Sequence, residues 1–407
     1  MTGGGDRITL GEWQQKVSGG LPEIHRDGDT CTVTFYWQDP AGTAQTSPIR
    51  RVWIYITGVT DHHQQMMPQS LQRLDGSDIW RWQVQLSARW RGSYCFIPSC
   101  REDDFSAAAL QTPPDRQALR EGWRKLLGQA IADPLNKDGR WQGGRGHPVS
   151  ALHLPDAPLQ PGWQPGSAAS FTPATSLQWR SQRLGNQRQV WVFTTGEEQP
   201  EKRPLAILLD GCFWAEQQPV WSALQTETDN GHLPPAVYLL IDAINTESRS
   251  RELTCNPDFW MAVQDELLPL LSRDNVWRDD PATTVVAGQS FGGLSALYAA
   301  LHWPQRFGCV LSQSGSFWWP HRQGQEQSGL LAEQVSQGVG EGCELRIFME
   351  AGVREPLILQ ANQRLLPLLQ KSHPSLIYRQ FEGGHDALCW RGGLTDGLAA
   401  LWQTVRP

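Results

Sequence analysis

No stretch of the 407-residue chain stays apolar for the ~18 residues that a membrane-spanning helix requires, so no membrane association is expected. There is no excess of positive charge either. The 35 Lys and Arg stand against 42 Asp and Glu, for a formal net charge of −7, which argues against nonspecific nucleic-acid binding. The opening "MTGGGDRITLGEW" has neither the basic start nor the apolar stretch of a secretory leader. The eight cysteines are scattered through the chain, and only Cys95 and Cys100 lie close together. No paired C-x-x-C pattern marks a zinc site, so we expect no metal centre and reduced thiols in a cytoplasmic protein. No internal repeat is present.

What is abundant is tryptophan, with 20 residues, enough to suggest aromatic surfaces suited to flat ligands. The chain is long enough for two domains, and its two halves differ in texture. In the first ~100 residues, "TCTVTFYWQDPAG", "IRRVWIYITGV" and "DIWRWQVQLSARWRGSYCFIP" alternate apolar and polar positions between turn signals. Short strands at such spacing predict an immunoglobulin-like β-sandwich. Nothing there resembles a catalytic motif. Residues 115 to 165 begin as a short amphipathic helix that stops at Pro134, then become rich in Gly and Pro and read as a linker. This linker carries Trp141, Arg145 and His147, chemically unusual for a spacer.

From about residue 170 apolar runs alternate with helical stretches: "RQVWVFTT", "PLAILLDG", "AVYLLIDAI", "TTVVAGQS", "CVLSQSG" and "LRIFMEAG" against "FWMAVQDELLPLLSRDN" and "PLILQANQRLLPLLQKS". That alternation predicts a mainly parallel sheet with helices on both faces, an α/β-hydrolase-type catalytic domain at 170–407 behind a β-sandwich domain with linker at 1–165. Active sites in such sheets lie beyond the carboxyl ends of the strands.

One such end carries "TTVVAGQSFGGLSALYAAL", in which a β-branched run meets Gly288-Gln289-Ser290-Phe291-Gly292 and a Leu/Ala-rich helix follows at once. A G-x-S-x-G set between strand and helix places its serine on a sharp turn with an exposed hydroxyl. Ser290 is therefore the candidate nucleophile, and the amide of Phe291 a candidate oxyanion donor. The second donor is expected from the loop "LLDGCFW", where the amide of Cys212 is the candidate. The base must lie downstream. His302 falls within the helix after the serine and reads as structural, and His373, before a proline at a helix end, reads as a surface cap. His385, in the glycine-rich loop "FEGGHDALCW" after the last predicted strand "SLIYRQF", is the candidate base. Glu355, Glu350 and Asp386 compete for the acid; Glu355, in a free loop, is favoured, although an acid there also suits the start of the helix near Pro356.

Taken together, "VVAGQSFGGLSALYAAL", "SQSGSFWW", "LLDGCFW" and "IDAINTESRSREL" resemble the enterochelin (enterobactin) esterases. "RRVWIYITGVTDHH", "WRGSYCFIP", "ADPLN" and "GGRGHPVSAL" resemble the accessory domain of the cytoplasmic enzymes of that family. The resemblance covers nearly the whole chain. It implies an intracellular esterase that cleaves the serine ester bonds of a cyclic trilactone siderophore, with no cofactor; Fe(III) enters only as part of the substrate. Ser290 and His385 fall on the family's nucleophile and base, and Glu355 falls where its acid is expected. A flat-faced trianionic ligand calls for local cations and aromatic platforms, for which Arg249, Trp214 and Arg145 are the candidates, with Arg251 and His147 close to the arginines in sequence and Trp318 and Trp319 in segments expected near the same face as Trp214. A feruloyl- or carbohydrate-type esterase and a noncatalytic siderophore binder are the alternatives.

Overall fold

The computed structural model describes residues 7–142, 146–166, 170–321 and 328–403. The chain divides into two compact units, one of residues 1–158 with 382–389, the other of residues 159–381 with 390–407.

The first unit is an antiparallel sheet. Its strands are β1 (Glu23–Asp27), β2 (Thr30–Gln38), β3 (Arg51–Ile56), β4 (Gln69–Arg73), β5 (Ile79–Ser87), β6 (Arg91–Ser99), β7 (Arg140–Gln142) and β8 (Pro148–His153), hydrogen-bonded in the order β1-β2-β5-β4-β3-β6-β8-β7. Three helices accompany them, α1 (Leu10–Gly19), α2 (Ala107–Leu110) and α3 (Arg116–Leu127). Side chains of a strand alternate between faces, and the sequence exploits both. Cys31, Val33, Phe35 and Trp37 of β2 join Val52, Ile54 and Ile56 of β3 and Tyr94 and Phe96 of β6 in one core. The opposite faces of β3 and β6, through Trp53, Tyr55, Cys95 and Ile97, are covered by α2 and α3. Helix α3 starts because the Asp115 carboxylate accepts from the amide of Ala118, and it buries Leu119, Trp123, Leu126 and Leu127, a single apolar stripe.

The Gly/Pro-rich stretch is not a linker throughout. Residues 148–153 form β8, paired antiparallel with β6 from Arg91↔His153 to Tyr94↔Ser150, and Leu152 and Leu154 enter the core. The polar side chains of "ADPLN", Asp133 and Asn136, are buried. Asp133 accepts from the Tyr94 hydroxyl at 2.7 Å and from the Leu135 amide, and Asn136 donates to the Ala151 carbonyl. Two of the partners that satisfy these groups, Tyr94 and Ala151, lie outside the stretch in sequence.

The second unit is a mixed sheet of β9 (Thr175–Ser181), β10 (Asn186–Thr194), β11 (Leu205–Leu208), β12 (Val237–Ile241), β13 (Val285–Gln289), β14 (Cys309–Gln313), β15 (Arg346–Gly352) and β16 (Ile377–Phe381), in the order β16-β15-β14-β13-β11-β12-β10-β9. Strands β11 to β16 run parallel, and β10 and β9 are added antiparallel at one edge. The helices are α4 (Trp221–Asp229), α5 (Thr246–Glu252), α6 (Pro257–Ala262), α7 (Leu268–Leu271), α8 (Phe291–His302), α9 (Leu330–Ser336), α10 (Pro356–Ser372) and α11 (Ala387–Trp402). Parallel strands are buried on both faces and so read as unbroken apolar runs. Val286 and Ile207 face a core that includes residues of α6, α8 and α10, while Val285, Ala287 and Leu208 face one that includes residues of α4 and α11.

His373 is not a surface cap. It is fully buried, its Nδ1 accepts from the Leu345 amide, and burial lowers its pKa. Among the described residues no helix is long and apolar enough to cross a membrane.

Candidate active site

The strand β13 is buried along its whole length and ends at Ser290, whose φ of 59° and ψ of −121° place a non-glycine residue in left-handed space. Such strain persists only where surrounding structure enforces it. The Ser290 amide donates to the Gln313 carbonyl at 3.0 Å, and the Ser290 carbonyl accepts from Leu294 and from Ser316. Strand is thus turned into helix within one residue. Phe291 is the first residue of α8, where amides have no partner within the helix. Three neighbouring strands leave the sheet in the same manner: Asp210 after β11, Ile244 after β12 and Ser314 after β14 all have positive φ. Four of the five positive-φ non-glycine residues described in this unit therefore gather beyond the carboxyl ends of consecutive parallel strands, the edge at which α/β sheets act; the fifth, Cys255, lies between α5 and α6.

Gly211 follows Asp210, and a side chain there would lie 2.7 Å from the backbone of Ile241. Cys212 comes next, so its amide belongs to the loop beyond β11, the strand hydrogen-bonded alongside β13. Burial, then Asp242 and Glu216, pushes the Cys212 thiol up to about 11, and its Sγ donates to Glu216 Oε2 at 3.6 Å. A thiol held protonated in this way is not a nucleophile.

Arg249 does not stand free for a ligand. Its Nε and a terminal nitrogen grip both oxygens of Asp210, at 2.7 and 2.9 Å, a second bond reaches the Gln289 carbonyl at 3.3 Å, and the guanidinium lies 5.6 Å from the Phe291 ring. It ties the β11 loop to the corner that carries Ser290. Arg249→Ala is expected to lower kcat about tenfold, the worth of one charge-assisted pair, measured on a small ester so that siderophore binding does not enter.

Trp214 is a correction. It is 1 % exposed, its Nε1 donates to Gln289 Oε1 at 2.9 Å, and it packs near Trp163, so it supports the corner from within and offers no face to a ligand. Trp318 is half-buried, its ring 6.0 Å from that of Phe291. Arg145 lies outside the described residues.

The three acids differ in what already holds them. Glu350 is 1 % exposed, with Oε1 accepting from Gln313 and Oε2 from Arg379, both at 2.7 Å; burial raises its pKa against the pull of Arg379. Asp386 accepts from the amide and hydroxyl of Ser93 and from the amide of Leu388. Glu355 is fully buried at the N-terminal boundary of α10, yet its side chain makes no capping bond; its Oε2 accepts from the Ser314 hydroxyl and the Gly352 amide, both at 2.7 Å. His385 is 7 % exposed and sits in the segment 382–389 that belongs to the first unit, its ring 4.7 Å from that of His63 and edge-on to it. His302 ends α8, with Nε2 2.8 Å from Gln334 Oε1, as a structural residue would.

Sequence reasoning passed over the serines of "SQSGS". Ser316 Oγ is 3.4 Å from Ser290 Oγ, and Ser314 links Glu355 to Trp390 Nε1. Their signal was the repeat of small hydroxyl residues at the end of the strand after the serine corner. Among the described residues no group of three or more His, Cys, Asp or Glu is placed to hold a metal ion.

A serine on a sharp corner between a parallel strand and a helix is the arrangement of an ester hydrolase. Two family models match: the N-terminal domain of enterochelin esterase over residues 32–163, and a putative esterase domain over 181–401. The iron(III) enterobactin esterase of Escherichia coli O6:H1 strain CFT073 is 60% identical over 394 residues, 97% of this chain and 96% of that protein. The crystal structure of ferric enterobactin esterase from Salmonella typhimurium is 59% identical, with a TM-score of 0.90 over 97% of this chain and 99% of that one. The enterobactin esterase of Shigella flexneri, solved in the presence of enterobactin, is 58% identical with a TM-score of 0.85, covering 98% and 99%. The chain belongs to the iron(III) enterobactin esterase family.

Proposed function

We propose that this protein is a serine esterase that hydrolyses the trilactone ester bonds of ferric enterobactin to dihydroxybenzoylserine units, releasing iron inside the cell. The observation that carries this reading is the strained Ser290 corner, found in a chain that matches enterobactin esterases over nearly its whole length. On this reading residues 170–407 are an α/β-hydrolase domain, supported by the parallel strands and the helices on both faces. Residues 1–165 are an immunoglobulin-like accessory sandwich, supported by two halves of a curled sheet that share one core. A cytoplasmic setting accords with eight free cysteines.

Ser290 Oγ attacks the lactone carbonyl while His385 takes its proton as general base. The amides of Phe291 and Cys212 stabilise the oxyanion, a contribution of about 3 kcal/mol for each donor. The serine alkoxide of the substrate leaves with the proton held by His385, and water activated by the same imidazole then releases the acyl group from Ser290. Glu355 sets the tautomer of His385. It is favoured over its rivals because the described bonds to Glu350 occupy both its oxygens and those to Asp386 draw its carboxylate toward Ser93. Arg145 supplies positive charge to the catecholates, a need set by the net −7 of the chain. Arg249 serves through the corner it braces. Every step uses the protein's own groups, and iron is cargo whose chelation weakens once the macrocycle opens and the catechols lose their preorganised scaffold. Hydrolysis of metal-free enterobactin is accordingly expected to survive dialysis against EDTA within about twofold, within the scatter of ordinary surface effects.

Chromatography of products after incubation with ferric enterobactin, beside a feruloyl sugar ester, tests the reading. Dihydroxybenzoylserine and its short oligomers are the expected products. Faster cleavage of the feruloyl ester, or intact siderophore after many enzyme equivalents, overturns it.

A further inference from the structure

The segment 382–389 follows β16 and runs into α11, yet it belongs with the first unit. Several bonds hold it there. The Arg91 amide donates to the Glu382 carbonyl, and Cys389 Sγ donates to the Arg91 carbonyl at 3.5 Å. Gly384 lies so close to the chain at Thr57 that a Cβ would be 2.6 Å from its carbonyl oxygen. At the centre is the carboxylate of Asp386, 5 % exposed, with Oδ2 accepting from the Ser93 amide at 2.6 Å and Oδ1 accepting from the Ser93 hydroxyl and the Leu388 amide, both at 2.9 Å. The β3–β6 ladder ends at Ile56↔Tyr94, and at the next residue the Ser93 amide is taken by this carboxylate. The Ser93 hydroxyl has its own anchor: Trp141 Nε1 on β7 donates to it at 3.0 Å, which fixes the direction of its proton toward Asp386.

We infer that Ser93 and Asp386 are positioning residues that set the place of the His385 imidazole, so that the N-terminal sheet takes part in catalysis through the geometry of the base. The inference rests on the reading of His385 as general base. Its physical ground is reach. A buried carboxylate bound by three donors is among the stiffest polar contacts a protein makes, and residue 385 is one peptide away, with its Cα ~3.8 Å from that of 386. A shift of ~1 Å at a catalytic group costs on the order of 100-fold in rate. The His63 ring, edge-on to that of His385 at 4.7 Å, restricts its rotation as well.

The test uses the full-length protein and p-nitrophenyl acetate, an ester too small to need the siderophore subsites. Ser93→Ala, which keeps the main-chain bond and loses the hydroxyl, is expected to lower kcat about tenfold with KM unchanged. Ser93→Thr, which restores a hydroxyl in a strand that favours β-branching, is expected to recover kcat to within about twofold. Asp386→Ala is expected to lower kcat on the order of 100-fold, and should it not fold, the two Ser93 variants decide alone. Melting midpoints are followed alongside. Losses of kcat that merely track lost folded protein, with no recovery in Ser93→Thr, overturn the inference. So does wild-type kcat in Ser93→Ala and Asp386→Ala while His385→Ala is inactive, which leaves the base reading standing. Wild-type kcat in His385→Ala overturns the base reading and the inference with it.

Discussion

Ser290→Ala is expected to fold, to bind ferric enterobactin as the native protein does, and to lose at least about 10⁴-fold in kcat. Each part follows from the geometry. The strain at φ 59° is borne by alanine much as by serine, because both carry a Cβ. The hydroxyl's described neighbour is Ser316 Oγ at 3.4 Å, too long for a strong bond, so stability should change by no more than about 0.5 kcal/mol. The amides that hold the corner, from Ser290 to Gln313 and from Ser316 to Ser290, are main-chain bonds that the substitution leaves in place. Tryptophan fluorescence quenching by the ferric ligand measures binding, and product chromatography measures turnover. If Ser290 and His385 act as one unit, as proposed, Ser290→Ala with His385→Ala should be no slower than Ser290→Ala alone. Hydrolysis retained in Ser290→Ala at more than about 1% of the native rate would remove Ser290 from the chemistry.

Much of the second unit was open to inspection in the sequence, and the reason is local. Each buried parallel strand must be apolar on both faces, so "PLAILLDG", "AVYLLIDAI" and "CVLSQSG" announce β11, β12 and β14. "PLILQANQRLLPLLQKS" is α10 from first residue to last, even with Pro367 inside it. The G-x-S-x-G corner is legible because strand, turn and helix signals are contiguous. What could not be read depends on partners remote in sequence. The stretch 148–153 is a strand because β6 is there to pair with it, and without that partner the glycines and prolines on either side of it suggest a linker. Trp214 looks like a ligand platform until Gln289 and Trp163 are seen around it. His373 looks like a surface cap until the Leu345 amide is found on its Nδ1. Ser93 and His63 lie in "WRGSYCFIP" and "RRVWIYITGVTDHH", stretches without a catalytic pattern of their own, since what sets the two residues apart is a segment that follows about 300 residues later. Alternation and propensity report what a residue is next to in the chain, and these roles are set by what it is next to in space.

The two glycines of the motif are expected to respond in opposite ways to the same substitution. A Cβ on Gly288 would lie 2.3 Å from the main-chain carbon and oxygen of Gly292, atoms that belong to the first turn of α8 and cannot swing aside as a side chain would. Gly288→Ala must therefore push the helix start away from the strand end. Overpacking of this kind costs about 3 kcal/mol, and the displacement falls on Ser290 and the Phe291 amide, where ~1 Å is worth about 100-fold in rate. The atoms nearest to a Cβ on Gly292 would be Asp210 Oδ2 at 3.5 Å, Leu209 Cβ at 3.6 Å and Leu209 Cδ1 at 3.8 Å, ordinary contact distances. Gly292→Ala should keep kcat within about threefold and hold or raise the melting midpoint, since alanine in a helix is favoured over glycine by about 1 kcal/mol. Thermal melts and kcat on a small ester, measured for both variants, decide the matter. Equal losses in the two would mean that the motif needs glycine at Gly292 for a reason other than space. Opposite outcomes would locate the constraint at the close approach of Gly288 to the turn, the contact that lets a hydroxyl stand at the corner at all.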